Sequence, residues 1–488
     1  MAKKRKSEKR GPILFPRFIG KAQWRTYALF AHSRLILETG QAWEVFEASE
    51  LAQLLFEQNA LTLVHSLLDL PGDWLDVAIA HGDCYCTPDG EPRALKLRGP
   101  RGTTRWVIQS SAWGQAFPTL ELLEQLAEVS RRAQVGTPTT PGAFGLALLK
   151  RSFAEQFGDQ WPAHRHRRPP EGICEWMRAT CTGARNDLDP RVSDHTISHL
   201  KEIDLKNAYG ASFARGVPCG HTSGFSRGDV AGYATYYAAC RCTLTQPLSY
   251  GLFPVRTATT GPAQIIYPTQ PGEYPCHLWR EEVEFLRARG ILVEVGDGVG
   301  WWELTTDAAR FVSNLETLRD HAPAELKPFF KLALVAAIGR LGMGAVSYLL
   351  TDEETPVRVS FDGRAFDLFV ETTVNASPES MPHWFYHVLM QCRLALTIEA
   401  ERWKHAEMWL GENTDAVYLK GEADTSGYTP VEEKASVPSG TWVVESYHDV
   451  DLPAVRHFAS EKKTTLPGIP REARAAYLQQ IRARRAPP

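Results

Sequence analysis

The chain has 488 residues and a nearly balanced charge: 54 Lys and Arg against 57 Asp and Glu give a formal net charge of −3, with 43% hydrophobic residues. This excludes an intrinsically disordered chain and a uniformly basic nucleic-acid coat, and the length suits about three domains. No apolar run reaches the ~20 residues of a membrane span and no signal peptide opens the chain. The nine cysteines include no Cys-x2-Cys pair. A reduced, zinc-free cytoplasmic protein without a membrane partner is therefore expected.

In chain order, the basic run Lys3 to Arg10 predicts a flexible tail over residues 1–20. Arg25 to Phe30 reads as a strand, Glu47 to Glu57 as a helix, Leu61 to His65 as a strand and Leu120 to Val129 as a helix. That alternation suits an α/β layer. Proline-rich stretches at Thr137 to Pro141 and His164 to Glu171 read as linkers, the second marking the end of the N-terminal domain. With so little net charge, contact with phosphates must come from local patches. The candidates are Lys3 to Arg10, His164 to Arg168, Lys462-Lys463 and Arg471 to Arg485, the first and last as flexible tails.

The next segments carry chemistry. Leu200, Ile203 and Leu205 anchor a strand that runs into Glu202-Ile203-Asp204-Leu205-Lys206-Asn207-Ala208-Tyr209-Gly210. Asp204 would face a cleft, and the Asn207, Tyr209 and Gly210 cluster would turn the chain and bring the Tyr209 ring near that carboxylate. Taken alone, the spacing equally describes a strand end with a solvated aspartate and a buried tyrosine. Tyr233 to Val299 holds several short β-like runs and a helix at Trp279 to Arg289. From Asp307 to His321, Phe311, Leu315 and Leu318 share a helical face with Thr305 or Thr306 as cap, and Pro323 precedes a second helix from about Ala324. There Lys327 and Lys331 lie one turn apart at the head of an apolar, small-residue run. They are placed either to reach a triphosphate or to be solvated on an ordinary amphipathic helix. Tyr348 to Thr373 predicts a β-hairpin broken by Asp352-Glu353-Glu354 and Asp362-Gly363. Met408 to Leu419 predicts a hairpin with Asp415 at its tip. Two-metal phosphoryl transfer needs two bridging carboxylates, which Asp204 and Asp415 can supply. By itself, Asn413-Thr414-Asp415 is also common turn chemistry.

Together with Cys181-Thr182-Gly183-Ala184-Arg185, the order of these segments resembles the family B DNA polymerases, especially the protein-primed branch of phages and linear plasmids, over roughly residues 145 to 475. The resemblance implies a multidomain α/β and α+β fold: a right-hand polymerase with palm, fingers and reduced thumb, preceded by an RNase H-like exonuclease-type domain. It implies a degenerate exonuclease-like domain at 21–160 and the first half of the palm with an insertion at 161–304. The fingers helices would occupy 305–347, a β-hairpin insertion 348–390, the palm with its second aspartate 391–465, and a reduced thumb or basic tail 466–488. Asp204, the Leu205 carbonyl and Asp415 would hold two Mg²⁺ or Mn²⁺ ions, and Asp204 and Asp415 would be catalytic. Tyr209 would stack on the incoming sugar and exclude a 2′-hydroxyl. Asn207, Ala208, Lys327 and Lys331 would complete the nucleotide site. Gly183, Ala184 and Arg185 would hold template through backbone contacts. Lys462 and Lys463, after the Gly440 to Glu445 strand, would grip the primer. The implied partners are primer-template DNA, deoxynucleotides and a terminal protein or other replication protein.

Departures from the family pattern point to altered behaviour. Val335 and Ile338 replace an asparagine and a tyrosine of the nucleotide helix, Asn413 replaces the first aspartate of the hairpin, Thr464 replaces the primer-gripping tyrosine, and Cys181 replaces an aromatic ring. The first N-terminal strand ends in Ala31-His32-Ser33 where an exonuclease needs Asp-x-Glu, and a later site is reduced to His65-Ser66 with Asp69. The expected activity is a DNA-directed DNA polymerase that extends a primer 3′-hydroxyl without proofreading. A template-independent or priming nucleotidyltransferase and a catalytically silent DNA-binding remnant are the alternatives.

Overall fold

The computed structural model describes residues 24–71, 82–86, 92–99, 103–109, 119–158, 165–189, 191–192, 195–228, 230–257, 264–342, 345–361, 364–375, 380–466, 469 and 473–485. The predicted tail 1–20, with Lys3 to Arg10, and His164 lie outside the described residues. Two compact units divide the chain: Met1–Arg168 with Asp307–Pro382, and Pro169–Thr306 with His383–Pro488. The first cut falls inside the proline-rich stretch at 164–171. Among the described residues no helix is long and apolar enough to cross a membrane.

The unit containing Asp204 is organised by one sheet with the strand order Thr464–Thr465, Phe458–Ala459, Trp442–Asp451, Thr196–Leu205, Ala416–Lys420, Trp409–Asn413 and Asn186–Leu188. Thr429–Pro430 pairs alongside Trp442–Asp451. Side chains alternate across a strand, so Ile203 and Val417 face one core with Leu396, Ala400 and Trp403 of the Pro382–His405 helix. Leu200, Ala416 and Tyr418 face another core with Tyr447 and Phe458. Asp204 belongs to the second of these faces. The insertion at 233–299 forms an antiparallel sheet in the order Ser223–Phe225, Leu292–Trp301, Thr235–Leu244 and Gly272–Trp279, with the predicted helix at Arg280–Ala288. Of the expected flexible tail, Arg471 lies outside the described residues, and the described remainder departs from that expectation. Residues Arg474–Arg485 are helical, Arg482 Nε donates to Asp451 Oδ2 at 2.8 Å, and Tyr477 bonds His457 at 3.0 Å.

In the other unit nine strands form one sheet in the order Arg364–Asn375, Ala345–Phe361, Gly82–Cys86, Pro92–Arg98, Thr104–Gln109, Ala60–Val64, Thr26–Ala31, Arg34–Leu37 and Ala42–Glu44. Thr26–Ala31 pairs in parallel with Ala60–Val64, which is parallel to Thr104–Gln109; the other pairings are antiparallel. Parallel neighbours need a crossover, and Ala48–Glu57 supplies the first one. That helix starts with a Glu47/Glu50 capping box and buries Leu51 and Leu55. The hairpin predicted over 348–373 slips in register between Thr351 and Pro356, at its acidic break. It extends the nine-stranded sheet through Gly82–Cys86.

The same unit holds the two lysine-associated helices. The first, Ala309–His321, buries Phe311 and Leu315 as expected, but the predicted threonine cap is absent: Thr305 closes a strand, and the cap residue is Ala308. After a short 3-10 turn the second helix runs from Lys327 to Gly342 and packs on Pro141–Phe157. Phe144 meets the edges of Phe329 and Phe330 at 5.5 and 5.6 Å. The small residues of this helix have a packing reason. A Cβ on Gly145 would stand 2.3 Å from the Ala333 carbonyl oxygen and 2.7 Å from the Ala337 Cβ. Gly145→Ala should therefore destabilise the protein by ~1–3 kcal/mol through overpacking, against the ~1 kcal/mol gain that Gly to Ala brings in an open helix. Chemical denaturation of the two proteins measures the sign.

Candidate functional site

Thr196–Leu205 ends beside its neighbours in register, with Asp204 opposite Ala416 on one side and Val443 on the other. Asn207 sits in the left-handed region at φ 51°, a conformation asparagine adopts more readily than most residues, and the Ala208–Arg215 helix begins at once. The chain reversal is made by Lys206 and Asn207. Tyr209 occupies the first turn of the helix, and Gly210, expected in the turn, is buried inside it. Burial pushes the Tyr209 hydroxyl up, reinforced by Cys392 and by the negative charge of Asp415.

The second carboxylate arrives from Trp409–Asn413 and Ala416–Lys420, the predicted hairpin with Thr414 and Asp415 at its tip. The Leu205 N–H donates to the Asp415 carbonyl at 2.9 Å, so the two aspartates come from neighbouring strand ends. Thr414 has φ 60°, an unfavourable region for a β-branched residue. Two contacts hold it there: its N–H donates to the Arg185 carbonyl at 2.9 Å, and its hydroxyl donates to Asn186 Oδ1 at 3.2 Å. Asn413 is paired in register with Asn186 and Ala416, and its amide donates to the Tyr418 hydroxyl at 3.4 Å.

The Cys181 to Arg185 segment is tied to this hairpin from within. Arg185 is 1% exposed; its Nε stands 2.6 Å from Glu412 Oε1, its guanidinium lies over the rings of Tyr250 and Tyr267 at 4.0 and 3.8 Å, and it donates to the Gly251 carbonyl at 2.5 Å. Tyr250 also donates to both Glu412 oxygens, at 2.7 and 2.8 Å. The Arg185 guanidinium is thus turned inward, while Gly183 is exposed and Ala184 half-buried. A second buried arginine, Arg393, donates to the Thr182 and Gly183 carbonyls at 2.8 and 2.7 Å and to Glu282 at 2.6 Å. Neither Glu412 nor Arg393 was singled out in the sequence. The available signal was a single charge in each of two short, mainly apolar runs, Trp409 to Asn413 and Met390 to Leu396.

The basic residues expected at the primer are engaged within the fold. Lys463 donates to Glu202 at 2.7 and 2.9 Å, Lys462 donates to the Ser446 carbonyl at 3.2 Å, and Thr464 is exposed on a two-residue strand. A further lysine, Lys434, ion-pairs with Asp204 Oδ2 at 2.5 Å. The groups expected to hold an ion are all oxygens: the Asp204 and Asp415 carboxylates on neighbouring strand ends and the Leu205 carbonyl next to Asp204 in the chain. Such a set fits Mg²⁺ or Mn²⁺ better than a thiophilic metal. Among the described residues no group of three or more His, Cys, Asp or Glu side chains is positioned to hold an ion.

Lys327, Lys331, Val335 and Ile338 belong to the other compact unit. Lys327, Lys331 and Val335 are exposed at four-residue spacing, and Ile338 is buried. In that unit the first strand leads into His32 and Ser33, both at positive φ in a hairpin turn, and Asp69 Oδ2 accepts from the Ser66 N–H at 2.9 Å. Within the expected patch, Arg165, Arg167 and Arg168 are half-buried, and His166 is buried, stacked on Phe153 at 4.7 Å and 2.8 Å from Asp307.

No protein-family model matches the sequence, and no curated protein matches it. Solved structures do match the fold. Phi29 DNA polymerase complexed with primer-template DNA and incoming nucleotide is 12% identical, with a TM-score of 0.67 and 94% of each chain covered. Phi29 DNA polymerase with single-stranded DNA is 12% identical, with a TM-score of 0.66, covering 93% of this chain and 94% of that one. An orthorhombic crystal form of the same polymerase gives 11% identity and a TM-score of 0.64 over 93% and 94%. The fold is thus the mixed α/β multidomain fold of that polymerase, with an exonuclease-type domain and a right-hand polymerase.

Burial pushes the Glu412 carboxyl up to about 7, opposed by Arg185 and by the Tyr250 hydroxyl. Unfolded, it would titrate near ~4.3, so the folded state holds an extra proton in between and loses stability as pH rises from about 4.5 to about 7. Denaturation measured across that window should show Glu412→Gln flattening this decline. Arg185→Ala, which leaves the carboxylate buried and unpaired, should cost ~3–5 kcal/mol near neutral pH.

Proposed function

We propose that this protein is a DNA-directed DNA polymerase that adds deoxynucleotides to a primer 3′-hydroxyl and releases pyrophosphate, without 3′-5′ editing. The observation that carries this reading is the placement of Asp204 and Asp415 on adjacent strand ends, with Tyr209 in the first turn of the helix that follows Asp204, in the fold of a DNA polymerase. Phi29 DNA polymerase has been captured with primer-template DNA, with single-stranded DNA and with incoming nucleotide; the same partners are proposed here. Divalent ions bound at the two carboxylates would supply charge neutralisation and a more acidic attacking hydroxyl. The chain's own contribution is positioning. Tyr209 would form the floor of the sugar pocket and disfavour a 2′-hydroxyl. Asn207 completes the turn before it and Ala208 opens the helix that carries it. The exposed Gly183 and half-buried Ala184 backbone, held by Arg185 and Arg393, would line the template, with Lys462 and Lys463 beside the primer. The rate would rest on alignment and electrostatics. Loss of editing is supported by the first strand of the N-terminal layer, which carries no carboxylate.

Extension of a labelled primer-template tests the assignment. Asp204→Ala and Asp415→Ala should each reduce incorporation by at least ~10³-fold, the scale of removing a charge-stabilising group; undiminished extension in either would sink it. Incorporation that persists without template would instead favour a template-independent transferase. In the same assay Tyr209→Val should raise ribonucleotide use relative to deoxynucleotide. An unchanged sugar preference would remove Tyr209 as the gate.

A further inference from the structure

Lys434 belongs to none of the segments that carry the polymerase resemblance, yet its ammonium meets the Asp204 carboxylate at 2.5 Å. It follows a short 3-10 turn at Val431–Glu433, and its own N–H donates to the Val431 carbonyl at 3.0 Å. The segment is pinned at both ends. Thr429 and Pro430 pair with Val443 and Val444, the former being the cross-strand neighbour of Asp204. After the lysine, Val437 accepts from Lys206 Nζ at 2.5 Å, Ser439 accepts from the Asn207 amide at 3.1 Å, and the Gly440 N–H donates to the Lys206 carbonyl at 2.7 Å. Lys206 and Asn207 are the residues that reverse the chain after Asp204. The backbone that delivers the ammonium is therefore fastened to the backbone that delivers the carboxylate, so the pairing is built into the fold. The Lys434 side chain is 41% exposed and has solvent to withdraw into.

We propose that Lys434 is an intrinsic counter-ion that competes with divalent metal for Asp204, so that the site binds free ions weakly and its carboxylates remain compensated when metal is absent. The proposal rests on the reading of Asp204 and Asp415 as metal ligands. Two like charges on adjacent strand ends repel, and a cation must relieve that repulsion in the metal-free protein. With Asn413 contributing no charge, one ammonium leaves the pair of aspartates a net charge of only −1. A divalent ion must then displace or push aside the lysine before it gains the full attraction of Asp204. Lys434→Arg keeps the charge; Lys434→Gln removes it.

The test is direct binding of Mn²⁺ to the full-length protein without nucleotide or DNA, followed by electron paramagnetic resonance of the free ion, with the Mn²⁺-induced shift in melting temperature as a second readout. Lys434→Gln should bind Mn²⁺ about two- to fivefold more tightly than wild type, the range that a partly exposed ion pair is worth. Lys434→Arg should stay close to wild type, and Lys434→Gln should show the larger Mn²⁺-induced rise in melting temperature. Asp204→Asn should abolish the binding in either background. Equal affinities for wild type and Lys434→Gln, with binding still lost in Asp204→Asn, would overturn the role of Lys434 and leave the metal ligands standing. Binding that survives Asp204→Asn would overturn the metal reading itself.

Discussion

The buried contact between Arg185 and Glu412 fixes where the second carboxylate stands. Glu412 points into the core, away from the face that carries Asp204, and a charge in that position survives only if it is paired and hydrogen-bonded. Arg185, Tyr250 and the stacked ring of Tyr267 meet that demand together. The consequence is felt on the opposite face of the strand. With the arginine side chain anchored below, its carbonyl and the neighbouring Asn186 are held against Thr414, keeping that residue in a backbone conformation it would otherwise leave. Asp415 follows immediately in the chain. The position of the Asp415 carboxylate thus depends on a buried ion pair beneath the hairpin.

A second constraint is the alternation of the strands. Glu202 and Asp204 share a face, and each is answered by a lysine from a segment far away in sequence, Lys463 and Lys434. Two basic residues that look like surface charge in the sequence are instead partners of the acidic row on the central strand. The same logic accounts for Arg393, which rises from an apolar helix to hold two loop carbonyls and Glu282. Around this site the backbone is fastened by buried cations, so a net charge near zero is compatible with a protein proposed to work on a polyanion.

Much of this was legible in local pattern. The Asp415 hairpin, the broken hairpin at 345–375, the capped helix at Ala48–Glu57 and the paired helices around Pro323 follow from alternation, turn residues and apolar spacing, all of which act over a few residues. Local pattern failed where a residue's partner lay far off. Local spacing makes Thr305 or Thr306 a helix cap, but Thr305 pairs with Val217 in a two-stranded ladder. His166, expected in a linker, is buried because Phe153 and Asp307 surround it. The Arg474–Arg485 helix docks through Asp451 and His457, which its own composition does not announce.

The sequence by itself determined the identity and order of the chemical groups: a strand ending in Asp204, a tyrosine one short turn later, a pair of lysines on a helix, and an aspartate at a hairpin tip. Those features depend on spacing along the chain. Only the tertiary structure decided that Asp204 and Asp415 end neighbouring strands, that Arg185 turns inward, and that Lys434 meets the first carboxylate. Each of these is a contact between residues separated by scores or hundreds of positions, and such contacts exist only once sheet register and core packing have brought the strands together.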